Sequence, residues 1–276
     1  MASEGNVICP VSAYVRTVEP VRWAIGAGEG PQVSVRVMTF NIRHGRGMDD
    51  RVDLGRIAAV IRRHRPDVVG LQEVDRHYGE RSAFVDQAWW LGRELGMSSL
   101  FGAGLREPPP GPGRPDREYG LAILTGHDVV RWASVPLPTR PGNEGRTLLR
   151  AALEVHGRDV RFWTTHLSVE SEALRIRQAE AILDMVAEDG PPHALVGDLN
   201  ARPESPTIAR LTEVLDDAWP IGGDGTPGHT FDALDPSIRI DYILTGPRAK
   251  AVGVEVVDVG GATDHRAIVA ALEITD

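Results

Sequence analysis

The sequence is poor in cysteine: Cys9 is the only one in 276 residues, so no disulfide can form within the chain. That usage fits a reducing compartment. The first residues, MASEGNVICPVSAYV, contain no basic region followed by a long apolar run. Neither a signal peptide nor a membrane span is expected, and the expected location is cytoplasmic. There is no cysteine cluster and no H-E-x-x-H, which argues against thiolate-held and protease-type zinc sites. A phosphate-cradling G-x-G-x-x-G or P-loop after a strand is also missing, which argues against a nucleotide-cofactor or redox protein. No stretch is rich in lysine or in aromatics, and the formal net charge is −9 with a pI near 5.5. The electrostatic footprint of a nucleic-acid binder is therefore lacking, and nucleic acid is disfavoured as a partner.

What is present is ordinary for a globular chain with a substantial core: 42% hydrophobic and 25% charged residues. Residues 1–31 mix Gly, Pro and Glu with scattered apolar positions and read as an N-terminal arm. Residues 32–276 read as one domain. V33-S-V-R-V-M-T-F40 alternates as a strand does. Leu54, Ile57, Ala58 and Ile61 recur at helical spacing over 53–64. D67-V-V-G-L-Q72 reads as a buried strand ending at Glu73, and Phe84, Ala88, Leu91 and Leu95 predict a helix over 84–96. E107-PPPGPGRPD-R117 excludes helix and central strand and reads as a surface loop. Short strands are expected at 119–125, 129–135, 147–155 and 159–166. A helix follows over 171–188, then a strand at 193–197. Ser205-Pro206 starts a helix to about 215. Strands near 239–245, 252–258 and 267–273 complete the chain. About ten strands with three or four helices fit an α/β fold in which two sheets pack face to face with helices outside.

Polar residues recur where these apolar strands stop: Asn41, Glu73, His166 in F162-W-T-T-H166, Asp198 and Asn200 in V196-G-D-L-N200, Asp241 in R239-I-D-Y-I243, and Asp264-His265 after Thr263. Each alone is explained by a turn, a cap or a hydrogen-bonded core position. Together they place acids, amides and imidazoles where a rigid sheet can project catalytic groups.

The motifs T-F-N41-I, L-Q-E73-V, T-H166-L, G-D198-L-N200, R-I-D241-Y and T-D264-H265, in this order, resemble the endonuclease/exonuclease/phosphatase superfamily, also called the deoxyribonuclease-I-like fold. One variation is T-D-H in place of the more usual S-D-H, which keeps the hydroxyl. The resemblance implies a two-sheet α/β sandwich (four layers) with its site at one rim, and a phosphoesterase domain over 32–276. It implies that Asp198 orients or deprotonates the attacking water and that Asn200 donates to the phosphoryl oxygens. His265 contacts the phosphate or supplies a proton, with Asp241 holding its ring, and His166 is a second phosphate or leaving-group contact.

Phosphoester hydrolysis calls for a hard divalent cation with oxygen ligands. The cation expected is Mg2+, with Mn2+ as the alternative; Glu73 is the foremost ligand, with Asn41 and Asp264 beside it. A nearby cation would hold the Asp198 carboxyl low. Tyr119, in E118-Y-G-L-A-I-L124, matches a position where the family often has a tyrosine near the phosphate. Arg43 and Arg146 are candidate grips on a phosphate-bearing substrate; Arg46 reads rather as a solvated loop charge, and Arg76 and Arg81 are further candidates for the rim. The expected substrate is a small or lipid-derived phosphate ester or a phosphodiester. A magnesium-dependent nuclease and a non-catalytic binding protein are the alternatives.

Overall fold

The computed structural model describes residues 33–275, and the arm expected over 1–31 lies outside the described residues. In chain order the elements begin with β1 (Val33–Asn41), α1 (Leu54–His64), β2 (Val68–Arg76), α2 (Gln87–Leu95), β3 (Ser98–Glu107) and β4 (Arg117–Thr125). The middle of the chain supplies β5 (Asp128–Pro136), β6 (Thr147–Val155), β7 (Arg158–His166), α3 (Glu172–Asp189) and β8 (Ala194–Asp198). The last part holds α4 (Pro206–Leu211), β9 (Asp216–Asp217), α5 (Ala218–Gly222), β10 (Asp241–Thr245), β11 (Ala249–Val257) and β12 (Ala267–Ile274).

The strands form two six-stranded sheets, ordered β11-β12-β1-β2-β4-β3 and β5-β6-β7-β8-β10-β9. Three apolar layers join the pieces. Between the sheets lie Val35, Val37, Leu121, Ile123, Leu149, Phe162, Val196 and Ile268. Outside the first sheet, Ile57, Ile61, Ala88 and Leu91 of α1 and α2 pack on Met38, Phe40 and Val69. Outside the second, Ala179, Ile182, Ile208 and Leu211 of α3 and α4 pack on Trp163, Leu195 and Tyr242. This is the α/β sandwich with helices outside that the sequence pattern predicts.

Each sheet contains one parallel pair, and each pair is joined by a capped crossover helix. β1 and β2 run parallel and are linked through α1, whose Asp53 side chain accepts from the Gly55 and Arg56 amides. β7 and β8 run parallel and are linked through α3, whose Ser171 hydroxyl accepts from the Leu174 amide. Such caps satisfy amides that the first helical turn leaves unpaired.

Several boundaries differ from the sequence reading. β2 continues past Glu73 to Arg76, with a register shift between Leu71 and Val74. α2 begins at Gln87 rather than 84, because Ala83 and Phe84 take left-handed φ values of 50° and 56° in the preceding turn and Asp86 caps the helix. α4 stops at Leu211, where the Thr212 hydroxyl bonds back to the Ile208 carbonyl. β10 begins at Asp241 rather than 239, and β11 spans 249–257 rather than 252–258. β3, β9 and α5 have no counterpart in the sequence reading. Among the described residues, no helix is long and apolar enough to cross a membrane.

Candidate active site

Strand pairing in the second sheet sets three of the site residues. At the end of the parallel pair, His166 of β7 lies opposite Asp198 of β8. Across the next, antiparallel pair, Asp198 lies opposite Asp241 of β10. Residues paired in register project from the same face, so the three side chains stand abreast at one rim. Gly197 makes this rim possible. Its φ is 152°, and a Cβ there would overlap the Thr165 carbonyl oxygen of the neighbouring strand. Past the end of β8, Asn200 takes a left-handed φ of 48°, a conformation asparagine tolerates well. Its amide nitrogen donates to Asp198 Oδ1 at 2.9 Å, and its Nδ2 donates to the Leu167 carbonyl at 3.0 Å.

The first sheet supplies the opposite wall. Asn41 ends β1, fully buried, and its Nδ2 donates to Glu73 Oε1 and to Asp198 Oδ2, each at 3.0 Å. Its Oδ1 accepts from the Arg43 amide at 3.1 Å. One amide thus ties the two sheets together at the rim. Glu73 does not follow the pleat of β2. It lies in the bulge with a φ of 59°, and bulges re-aim side chains next to active sites. Below it, Gln72 donates through Nε2 to Thr164 Oγ1 of the second sheet at 3.0 Å. Asp264 and His265 come from the segment entering β12. His265 Nδ1 lies 2.9 Å from Asp241 Oδ2, and its Nε2 lies 3.6 Å from Asp198 Oδ2.

A cleft of about 660 Å3 opens over these groups, lined by Glu73, Tyr119, Arg146, His166, Asp198, Asn200, Asp264 and His265 among others. Asn41 and Asp241 stand buried behind them. Tyr119 is half-buried, and burial followed by the charge of Glu73 pushes its hydroxyl far above the ordinary tyrosine range; it is a neutral hydrogen-bonding group. Arg43 does not line the cleft itself and bonds through Nε to Asp264 Oδ2 at 3.2 Å. Arg46 pairs with Asp50, Arg76 with Glu118, and Arg81 with the buried Asp75. Two contributors were not singled out in the sequence. Gln72 carries the inter-sheet bond, and Glu144 lines the cleft and holds Arg146 at 2.6 Å. Both depend on contacts between distant segments, which no local pattern signals.

The electrostatics separate the two ionisable centres. Burial raises the proton affinity of Asp198 to about 7, helped by Asp241 and opposed by His265. A nearby cation, expected to hold this carboxyl low, would act against that burial. For His265, burial acts downward, but the carboxylates of Asp241 and Asp198 outweigh it and push the imidazole up to about 10. His166 goes the other way: burial, then the charges of Arg146 and His265, hold it well below the ordinary histidine range. The rim therefore holds one charged and one neutral imidazole.

Two groups of residues could hold a cation. Asp198, Asp241 and His265 place candidate ligand atoms within 4.8 Å of one another. The Asp241–His265 hydrogen bond, however, favours a protonated ring with no lone pair to give. Asn41, Glu73 and Asp264 offer only oxygen, the donor a hard divalent ion prefers. Asn41 Nδ2 now occupies Glu73 Oε1, and Glu73 and Asp264 both face the cleft. The oxygen set fits such an ion better.

Oxygen donors on one wall and a proton-accepting carboxylate with hydrogen-bond donors on the other meet the needs of phosphoester hydrolysis, so fold and cleft together define a phosphoesterase. The chain belongs to the Endonuclease/Exonuclease/phosphatase family, whose model matches residues 38–265. It is similar to the endonuclease/exonuclease/phosphatase from Beutenbergia cavernae DSM 12333, at 31% identity and a TM-score of 0.75, over 88% of this chain and 72% of that one. The mannosyl-6-phosphatase of Bacteroides thetaiotaomicron VPI-5482 shares the fold at 18% identity and a TM-score of 0.69, over 86% of this chain and 99% of that one. The human Nocturnin catalytic domain does so at 20% identity and a TM-score of 0.64, over 88% and 94%. No curated protein sequence matches the chain.

Proposed function

We propose that the protein is a divalent-metal-dependent hydrolase of a small or lipid-derived phosphate ester or phosphodiester, using magnesium or, as the alternative, manganese. The observation that carries this reading is the convergence of Glu73, His166, Asp198, Asn200, Asp264 and His265 on one cleft from four strands or strand ends far apart in sequence. A cation held by Glu73, Asn41 and Asp264 would neutralise the phosphoryl oxygens and lower the pKa of bound water. The chain's own residues do the rest. Asp198 takes the proton of the attacking water, its carboxylate held in place by Asn41 Nδ2 and the Asn200 backbone amide. Asn200 turns its amide from the Leu167 carbonyl toward a phosphoryl oxygen, and removing such a donor typically costs about 2.7–4 kcal/mol of transition-state stabilisation. His265, kept charged by Asp241, donates to a phosphoryl oxygen or to the leaving group. His166 and Tyr119 complete the polar lining, and Arg43 acts through Asp264.

The preference for a small or lipid-derived substrate rests on charge. The chain carries a net −9, and Arg46, Arg76 and Arg81, which could have formed a basic track, are paired with acids. A nuclease needs several free cations along a phosphate backbone. A binding protein without turnover is disfavoured because all eight groups from Asn41 to His265 are retained. The cytoplasm remains the proposed location. The test is a metal-supplemented screen of plasmid DNA, single-stranded nucleic acid, inositol phosphates, a choline phosphodiester and sugar phosphates. Turnover of one of the last three classes supports the reading. Turnover confined to nucleic acid replaces it with the nuclease, and none at all removes it.

A further inference from the structure

We propose that Arg146, held by Glu144, is a positioning residue that fixes the tautomer of His166, with the ring proton on Nε2. The proposal deepens the phosphoesterase reading and rests on it for its purpose, but the hydrogen-bond arrangement is testable without any substrate.

The argument begins with what a guanidinium can do. Arginine has five N–H donors and no acceptor, and it stays protonated in proteins. Arg146 Nη1 lies 3.2 Å from His166 Nδ1. That nitrogen must therefore supply a lone pair, and in a neutral ring the proton then resides on Nε2. Two groups face Nε2: Asn200 Nδ2 at 3.0 Å and Asp198 Oδ2 at 3.4 Å. The Asn200 amide group is itself a donor, with one N–H on the Leu167 carbonyl and the other facing Nε2. Donors therefore face both ring nitrogens, and Nε2 is the one that also faces an acceptor, Asp198 Oδ2, the oxygen that Asn41 also reaches. The opposite tautomer would accept from the Asn200 amide but would aim an N–H at the guanidinium and a lone pair at the carboxylate, a larger repulsion than a neutral amide exerts on Nε2–H. A proton on both nitrogens is opposed by burial and by the adjacent guanidinium.

The arginine is built into place. Glu144 Oε1 holds the same Nη1 at 2.6 Å, and the Arg146 side chain is 7% exposed. Its Nε is buried without a partner, so the orientation serves Nη1. Between the two residues lies Gly145, pressed against Gly104 of β3. A Cβ on either would overlap the carbonyl oxygen of the other, so β3 and the loop before β6 meet backbone to backbone at this point. Gly104 lies in the register shift of β3 between Ala103 and Leu105. The backbone is pinned on the other side by the Leu137 amide, which donates to the Arg146 carbonyl at 2.8 Å. Supporting residues on rigid elements are what hold catalytic groups within their working geometry.

The tautomer can be read directly. In the full-length protein labelled with 15N-histidine, long-range proton–nitrogen correlations distinguish Nδ1–H from Nε2–H, and the His166 signal is assigned by its loss in His166→Gln. The expected wild-type state is neutral Nε2–H through neutral pH. Arg146→Met should release it into a mixture with Nδ1–H, whereas Arg146→Lys, which keeps one donor, should retain Nε2–H. With an aryl phosphodiester as the probe, Arg146→Met should lower kcat roughly tenfold or more, with KM changed less than about threefold, as losses of orienting partners do. Lysine should restore a large part of kcat. An Nδ1–H wild-type ring overturns the proposal even if Arg146→Met does not fold. So does a folded Arg146→Met variant with an unchanged tautomer and only KM raised, which would make Arg146 a direct substrate contact. A protein with the Nε2–H ring that hydrolyses no phosphate ester would sink the phosphoesterase reading and leave the arginine–histidine arrangement standing.

Discussion

The two walls of the cleft are assembled by different means. On the second-sheet wall, His166, Asp198 and Asp241 are adjacent because three strands pair in register, and a slip by one residue would turn each side chain to the other face. On the first-sheet wall, Glu73 owes its direction to a bulge, and Asp264 and His265 to an irregular segment before β12. The carboxylates of the register-built wall are also the drier ones: Asp198 and Asp241 are almost fully buried, whereas Glu73 and Asp264 opposite are partly open. The difference matches the division of labour proposed above. Proton transfer needs fixed geometry and a desolvated base, while a hard cation needs oxygens it can reach from water.

If the division is right, the largest effect belongs to the dry wall. Asp198→Asn should lower turnover by on the order of 10³-fold or more, with unchanged far-UV circular dichroism and melting behaviour to show the fold intact. Wild-type turnover in that variant would break the distinction at once.

The next effect lies at the far end of the same sheet, where β8 begins. His193, at the entry to β8, accepts the Arg161 amide through Nδ1 at 3.0 Å. Burial, then the charge of Arg161, lowers it from 6.5 to about 4. The unfolded chain therefore takes up this proton first as pH falls. Its contribution to stability is complete above about 6.5 and is lost progressively as pH drops to about 4, by on the order of 3 kcal/mol. Urea unfolding across this window should show the loss in wild type and a flatter profile in His193→Gln; superimposable profiles would contradict the sign or the burial.

On the open wall the expected change is smaller and of another kind. Glu73→Gln should weaken the apparent metal affinity about 10–100-fold, read from activity against magnesium concentration. An unchanged titration would remove Glu73 from the ligand set and turn attention to the Asp198–Asp241–His265 group.

The smallest effects compare the crossover helices that serve the two walls. Asp53→Ala at α1 and Ser171→Ala at α3 should each cost about 1 kcal/mol in equilibrium unfolding. A much larger loss in either would mean that one wall depends on its helix more than the shared architecture suggests.

The two walls also differed in how far they could be read in advance. The dry wall was legible because its strands are short apolar runs that stop at a polar residue, as A194-L-V-G-D198 does, and the pairing of neighbouring runs then brings the ends together. The open wall was legible only as residue identities. Glu73 was read as a strand end, yet β2 runs on to Arg76, because a bulge is a property of the pairing with β4 and not of β2 alone. β3 escaped notice for a related reason: S98-S-L-F-G-A-G-L-R-E107 is an edge strand carrying two glycines, mostly half-exposed, with little alternation to mark it. Phe84 fits the apolar helical face and draws the predicted start of α2 forward, whereas the turn at Ala83 and Phe84 and the Asp86 cap decide the boundary. Glu144 and Gln72 act across the sheets, and their partners are visible only once the chain has folded.

The central claim is that water delivered by Asp198 attacks phosphorus, not carbon. Hydrolysis of a phosphate ester in 18O-enriched water, followed by mass spectrometry of both products, tests it most directly. One 18O per turnover in the phosphate-bearing product is the expected result; 18O in the released alcohol would contradict the account.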